Sequence, residues 1–318
     1  FFSSRRRHTR FRNVTGVQTC ALPIFKTGTQ VRHAVFLWRN QYDLGRKDSL
    51  VTDSTVIPLF FPRVRLEHQL RFDREQVAFI DKVPGADYYL STYNRPIAFG
   101  DTIDIRDKWS RFTNEFSIYQ FPDAKNLKQY IKAGIAIELL NGVTAGQSRS
   151  YFNSRGQFTY RNITKNKKWD LSIDGVLYLA GFNAADYLAT AKLQRLFGKK
   201  NNSVSIAGTN VNRTPSFIFD SRSSFYLSKR LIDFKKENNT SLSTSIELPA
   251  WGASLTGTYH LLTNYTYFTQ FYEPQQEASL FTLLQVSALK TFQLSKKWKW
   301  HAEVYLQQRI GSAQVNVI

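Results

Sequence analysis

The chain has 318 residues, a formal net charge of +19 and 15% aromatic residues. Its mean hydropathy is −0.37, and no apolar run is long enough for a membrane-spanning helix, which excludes a helical membrane protein. The single cysteine, Cys20, excludes a disulfide framework and leaves the redox compartment open.

Residues 1–24 differ from the rest of the chain, because they lack both helical and strand periodicity and carry no acidic residue. Their arginines are Arg5, Arg6, Arg7, Arg10 and Arg12. Three interpretations are open: an organelle transit peptide, a basic arm that binds nucleic acid, and a non-native segment. The run from Ser4 to Ile24 resembles translated sequencing-adapter sequence. We therefore predict a non-native or disordered segment here.

Residues 63–73 are the clearest strand. Val64, Leu66, His68, Leu70 and Phe72 alternate with charged or polar residues, which include Arg65, Glu67, Gln69 and Arg71. Successive side chains of a strand point to opposite faces, so this stretch has one mostly apolar and one charged face. Its length suits a tilted membrane-spanning strand of about 9–11 residues better than the usual strand of about 5–6. Only His68 breaks the apolar face.

The same alternation recurs along the chain and predicts about 14 strands, with no helix competing. The predicted strands are residues 30–42, 63–80, 111–121, 128–140, 152–163, 168–180, 187–197, 203–212, 222–234, 241–248, 252–262, 265–272, 279–292 and 298–310. Pro58 and Pro62 lie outside them, because proline cannot sit in a central strand. The longest irregular stretch is residues 81–110.

The connections between these strands alternate between a short and a mostly longer set. Short turns are predicted near Asn166, Lys200, Glu237, Asn264 and Lys296. The second set is residues 81–110, 141–151, 181–186, 211–221, 249–251 and 273–278. Residues 249–251 are short for their set, and residues 43–62 are long for the other. Alternating short and long connections are typical of an outer-membrane barrel.

A soluble β-sandwich is the competing fold, since its half-buried strands also alternate. Strand length and aromatic residues near strand ends favour the membrane barrel. These aromatic residues are Phe112, Tyr119, Phe121, Trp169, Tyr187, Trp298 and Trp300. We predict that residues 25–318 form an all-β, antiparallel up-and-down transmembrane β-barrel. The chain lacks methionine even at position 1, so we expect it to be a fragment.

Four segments together carry a resemblance to a known family. They are residues 42–48 (YDLGRKD), 57–63 (IPLFFPR), 116–126 (FSIYQFPDAKN) and 210–221 (NVNRTPSFIFDS). The chain resembles the Putative porin family of Bacteroidetes outer membranes. The resemblance implies a β-barrel in the outer membrane of a Gram-negative cell, in a longer chain than this one. We therefore expect residues 25–318 to be truncated at both ends and their barrel to be open or incompletely closed. It brings no substrate and no assigned functional residues.

No sequence pattern points to catalysis, a cofactor or a metal. Phosphate-binding glycine loops and Cys/His metal spacings are absent, and the histidines outside residues 1–24 are scattered as His33, His68, His260 and His301. We therefore predict that the protein is not an enzyme, with a membrane-embedded hydrolase as a weaker alternative. Residues 210–222 are predicted to form a structured loop that folds inward.

The polar faces are the candidate functional surface, because they would line the lumen of a barrel. The candidate pore-lining residues are Arg65, Glu67, Arg71, Lys132, Glu138, Asp170, Asp174, Lys192, Lys290, Lys299, Glu303 and Arg309. Seven are basic and five acidic, which suggests a weak anion preference, while a paired charge network without selectivity is equally open.

The sequence thus predicts a porin-like channel for passive diffusion of small hydrophilic solutes. A non-conducting structural barrel is the alternative. The expected partners are outer-membrane lipid and small hydrophilic solutes, with a homo-oligomer left open. A nucleic-acid partner is not expected, because the basic residues are spread over many strands.

Overall fold

The computed structural model describes residues 6–14, 27–51, 55–98, 100–198, 201–228, 230–269 and 272–311. Within these residues the chain is all-β. Its strands are β1 (Arg6–Val14), β2 (Thr27–Val51), β3 (Val56–Asp81), β4 (Ile103–Gln120), β5 (Tyr130–Thr144), β6 (Gln147–Ile163), β7 (Trp169–Gly181), β8 (Tyr187–Phe197), β9 (Asn202–Arg213), β10 (Glu237–Leu248), β11 (Ala253–Thr263), β12 (Tyr265–Thr269), β13 (Glu273–Glu277), β14 (Phe281–Gln293) and β15 (Lys299–Ile310).

One antiparallel up-and-down sheet contains 13 of these strands, in the order β1 to β11, then β14 and β15. The remaining two, β12 and β13, form a separate two-stranded sheet inserted between β11 and β14. No pairing between β15 and β1 is present among the described strands, so the sheet is open, as predicted. The all-β up-and-down architecture is confirmed.

β1 lies within residues 1–24, whose sequence lacks strand periodicity. It pairs with β2 from Arg6 opposite Asp43 to Val14 opposite Val35. The free edge of a strand offers backbone N–H and C=O groups to any extended segment, whatever its sequence. The non-native origin of residues 1–24 stays a prediction.

The prolines of residues 56–62 lie inside β3, which corrects the expectation that they exclude a strand. Residues before Val64 pair with β2 alone, because pairing with β4 begins at Val64. An edge strand tolerates a residue without an N–H. At Pro62 the register shifts opposite Gly45, where an added Cβ would lie 2.1 Å from the carbonyl oxygen of Phe61. This β-bulge therefore requires glycine.

Three further segments differ from the predicted elements. A short helix, α1 (Ala86–Tyr93), lies in the long irregular stretch. Within residues 222–234, the described part contains no strand. Within residues 265–272, the described part contributes the short strand β12 and no strand of the main sheet. Among the described residues, no helix is long and apolar enough to cross a membrane.

Because of these differences, some connections lie at the other end of the sheet from the one predicted. One end of the sheet, which we call the short end, carries short connections that include residues 164–168, 249–252 and 294–298. The other end carries the long connections, which are residues 82–102, 214–236 and 264–280. Glu237 begins β10 and Asn264 begins a long connection, so neither marks a short turn. Residues 249–251, which fitted the long set poorly, belong to the short end.

The two faces of the sheet differ in burial. Glu67 on the polar face is 2% exposed, whereas Ile135 on the apolar face is 66% exposed. A cavity of about 570 Å³ is lined both by Gln69 from β3 and by Asn212 from β9, which are far apart in the sheet order. The sheet therefore curls around its polar face. We call the polar side the inner face and the apolar side the outer face.

Candidate pore lining

Eleven of the twelve predicted pore-lining residues lie on the inner face, because the strand registers place them opposite one another or opposite other inner-face residues. Arg65 lies opposite Asp43, and Lys132 lies opposite Tyr119. The inner-face members are Arg65, Glu67, Arg71, Lys132, Glu138, Asp170, Asp174, Lys192, Lys299, Glu303 and Arg309. Their role in a pore stays a prediction.

Lys290 is the exception and lies on the outer face. Its register partners are Ala253 of β11 and Ala302 of β15, next to apolar neighbours. The Nζ atom donates a hydrogen bond of 2.5 Å to the carbonyl oxygen of Trp251 at the end of the sheet. A long lysine side chain reaches the interface in this way while its stem stays against apolar groups.

Glu67 is the first of two acidic centres on the inner face. Its carboxylate accepts hydrogen bonds from Gln41 Nε2 at 2.5 Å and from the Tyr119 hydroxyl at 3.0 Å. Lys132 Nζ lies 3.4 Å from Glu67 Oε1 and 3.3 Å from Glu115 Oε1, so it bridges the two acidic centres. Beside Glu67, Arg65 forms a two-pronged ion pair with Asp43, at 2.6 and 2.9 Å.

Glu115 is the second acidic centre, and it is not among the residues predicted from the sequence to line the pore. Arg155 of β6 contacts its carboxylate at 3.2 Å and also contacts Glu138 at 2.9 Å. Gln157 donates a further hydrogen bond to Glu115. We call Glu67, Glu115, Lys132, Glu138 and Arg155 the ionic network. Glu115 and Arg155 lie on the polar sides of strands that the alternation had located, so a face-by-face reading of those strands would have found them.

Arg71 belongs to a cluster of charged side chains on the inner face. It forms an ion pair with Asp73 at 2.7 Å, and Arg111 and His33 reach the same carboxylate at 4.0 and 3.8 Å. Arg71, Asp73 and Arg111 line the 570 Å³ cavity, whose lining also includes Glu138 and Asp186. The cavity thus contains both signs of charge.

The remaining predicted residues lie farther along the sheet. Asp170 pairs with Arg161 at 2.9 Å, and Asp174 accepts a hydrogen bond from Thr159 at 2.9 Å. Lys192 lies opposite Ser172. The last strand, β15, carries Lys299, Glu303 and Arg309 on the inner face.

From β8 to β14 the inner face changes character, because hydroxyl and amide groups replace most charges. One transverse row consists of directly opposed residues of β9, β10, β11 and β14, which are Ser205, Ser245, Thr256 and Ser287. A second row contains Ser243, Thr258 and Gln285. Thr256 donates a hydrogen bond of 3.2 Å to Ser245.

The segment between β9 and β10, residues 214–236, reaches across to β4. Ser223 donates a hydrogen bond of 2.6 Å to the buried carboxylate of Asp107, which also accepts the Ser224 N–H at 3.0 Å. The Ser224 hydroxyl accepts the N–H of Ala145 in the β5–β6 turn at 2.6 Å. The segment is therefore attached to the rim of the sheet several strands away from its own ends. This fits the predicted structured loop, although its centre lies beyond residues 210–222.

Arg222 anchors the same segment against aromatic side chains. It donates a hydrogen bond of 2.9 Å to the Tyr151 hydroxyl, and its guanidinium lies 5.6 Å from the Phe182 ring centre and 5.7 Å from that of Phe217. Arg222 also pairs with Asp220. Partial burial raises the pKa of Asp220, but hydrogen bonds from Arg222 outweigh this and lower it below its ordinary value of 3.8.

The histidines are separate from one another. His260 contacts the side-chain oxygens of Asn239 and Gln285, His301 contacts Thr291, and His68 lies on the outer face. Within the described ranges, no group of three or more His, Cys, Asp or Glu residues could hold a metal ion.

The family model described as Putative porin matches residues 9–317. The chain belongs to the Putative porin family. As a member of this family it is an outer-membrane protein with a porin-like β-barrel fold, which confirms the expected family, fold and location.

Two solved structures resemble this porin-family chain. The siderophore receptor PirA from Pseudomonas aeruginosa shares 11% identity, with 96% of this chain and 61% of that chain covered and a TM-score of 0.49. The copper transporter OprC shares 8% identity, with 89% and 56% covered and a TM-score of 0.49. This chain therefore spans about six tenths of the length of each. A search of curated proteins finds no match.

Proposed function

We propose that the chain forms part of the wall of a pore for passive diffusion of small hydrophilic solutes across the outer membrane. The observation that carries this proposal is the mostly polar inner face, which runs from β2 to β15 and borders a cavity of about 570 Å³. Polar, water-accessible lining opposite an apolar outer face is what an aqueous barrel requires. No catalytic residue takes part in this mechanism.

Pairing of the inner-face charges supports weak ion selectivity rather than an anion preference. The predicted basic residues Arg65, Arg71 and Lys132 each contact a carboxylate on the same face. Rings of unpaired charge are what give channels a strong preference. Reversal potentials in planar bilayers under a salt gradient test this point: we expect values near zero, and a strong anion current would contradict it.

A hydrolase is less well supported, although Ser241 lies directly opposite His260 on the inner face. Both ring nitrogens of His260 face amide side chains, at 3.4 Å from Asn239 and 3.3 Å from Gln285. A general base needs one ring nitrogen free to accept the serine proton. The amide contacts occupy the positions that this proton transfer would use.

The second candidate is a non-conducting structural barrel, and the segment 214–236 is the observation that favours it. Anchored by Asp107 and Arg222, this segment could obstruct the lumen at one end. Swelling of liposomes that contain the full-length protein separates the two functions. Diffusion of a small sugar or amino acid supports the pore, whereas absence of swelling with every such solute supports the structural barrel.

A further inference from the structure

We propose that the mostly uncharged part of the inner face, from β9 to β14, is the path for uncharged polyhydroxylated solutes such as small sugars. We call its residues Ser205, Ser243, Ser245, Thr256, Thr258 and Ser287 the hydroxyl wall. This proposal rests on the pore function above and specifies its solute class.

The hydroxyl wall is a regular array and not a scatter of small residues. Ser205, Ser245 and Thr256 lie opposite one another on three adjacent strands, and Ser287 extends the row onto a fourth. Neighbouring strands are spaced by about 4.8 Å, so the hydroxyls repeat at this interval across the wall. All six side chains are half-buried, which leaves them accessible from the lumen.

The hydroxyls retain hydrogen-bonding capacity after their contacts with each other. Each serine or threonine hydroxyl offers one donor and two acceptor positions. The bond from Thr256 to Ser245 uses one donor and one acceptor of the pair. Donors and acceptors therefore remain for a solute that carries both kinds of group, as a polyhydroxylated molecule does.

The ionic network on β3 to β6 differs chemically from the hydroxyl wall, because its side chains are charged. Glu67, Glu115 and Arg155 are bound to charged partners at 3.2–3.4 Å. A neutral solute would have to displace charge-assisted hydrogen bonds there, which are roughly twice as strong as neutral ones. On the hydroxyl wall it exchanges water for protein hydrogen bonds of similar strength. Weak, repeated binding of this kind lets a solute enter and leave quickly.

The test removes hydroxyls from the full-length protein without narrowing the lumen. The variant Ser243→Ala/Ser245→Ala/Thr256→Val has smaller or equal side chains, so a purely steric pore would pass solutes equally fast or faster. We expect liposome swelling with a neutral pentose to slow roughly three- to ten-fold, the effect of losing on the order of one hydrogen bond to the solute. Potassium chloride conductance should stay unchanged.

Thr244→Val is the matched control, because Thr244 lies between Ser243 and Ser245 but on the outer face. It should leave pentose swelling unaltered. Thr256→Val alone, which removes one hydroxyl at constant volume, provides a milder variant if the triple variant does not assemble. Unchanged or faster pentose swelling in the variant that assembles would overturn the proposal.

The outcomes also separate this inference from the pore function. An unmodified protein that conducts salt and passes amino acids but excludes pentoses would refute the hydroxyl wall and leave the pore standing. An unmodified protein that neither swells liposomes nor conducts would refute both.

Discussion

The Nε2 atom of His68 lies 2.9 Å from Oδ1 of Asn114, and this hydrogen bond lies on the outer face of the sheet. The apolar stripe of β3 extends from Val64 to Phe72, so His68 is at its centre. The ring also packs edge-on against Trp38, with 5.5 Å between ring centres. His68 interrupts the alternating pattern, and its partners explain how one polar group is accommodated among apolar side chains.

Replacing this polar pair should stabilise the protein in lipid. For His68→Leu/Asn114→Leu we expect a gain of about 1–2 kcal/mol in the free energy of unfolding, because polar groups on a lipid-facing surface are costly even when they are bonded. Urea unfolding in phospholipid vesicles measures the change. Asn141→Leu is the control: Asn141 accepts a hydrogen bond from Ser150 near the end of β5, away from the centre of the stripe. Destabilisation by the double substitution, with the control unaffected, would show that the pair contributes to assembly.

Loss of the Asp107 carboxylate should release the segment 214–236 from the rim. Asp107→Ala removes two hydrogen bonds to a charged group, worth about 3 kcal/mol together, and should raise the open population roughly a hundred-fold. Limited proteolysis within the segment should accelerate, and single-channel conductance should rise. Asp104→Ala is the control, since Asp104 pairs with Arg106 and is exposed. Unchanged proteolysis of Asp107→Ala would mean that other contacts hold the segment.

The sequence predicted the faces of the sheet better than the number of strands. Alternation is a local property, so it located β5, β7 and β15 and placed their charges correctly. Residues 222–234 were interpreted as a strand because their sequence alone does not reveal Asp107, which binds Ser223 from 116 residues away. That one extra strand shifted the predicted turns at Glu237 and Asn264 to the wrong end of the sheet.

Lys290 was assigned to the wrong face for a related reason. In β14 the inner face carries Leu283 and Leu289 as well as Gln285 and Ser287, so hydrophobicity does not distinguish the two sides. Only the register with β11 and β15 decides the face. The position of the prolines inside β3 is likewise explained only by the strand pairing, because β3 has a single neighbouring strand at these residues.

Removing the Glu115 charge should destabilise the ionic network and shift ion selectivity together. Glu115→Gln leaves Lys132 and Arg155 without one of their carboxylate partners, and breaking a buried ion pair costs about 3 kcal/mol. Unfolding at lower denaturant and a reversal potential shifted towards anions are the expected results. Glu303→Gln removes the same charge from an exposed inner-face position and should shift selectivity with little loss of stability. Equal stability of the two variants would contradict a structural role for the network.

Acid should loosen the segment 214–236 through Asp220, because its carboxylate binds Arg222, whose guanidinium donates a hydrogen bond to the Tyr151 hydroxyl on β6. The pKa of this carboxyl is lowered in the folded protein, so its contribution is present above the ordinary value of 3.8 and is lost as the pH falls through the lowered value. The segment should therefore stay docked at pH 5 and open only below about pH 4. Conductance recorded stepwise from neutral to acid pH should rise in that range. Asp220→Asn cannot ionise at this position, so its conductance should be higher at neutral pH and lack this step. An unchanged acid step in Asp220→Asn would contradict the assignment of this step to Asp220.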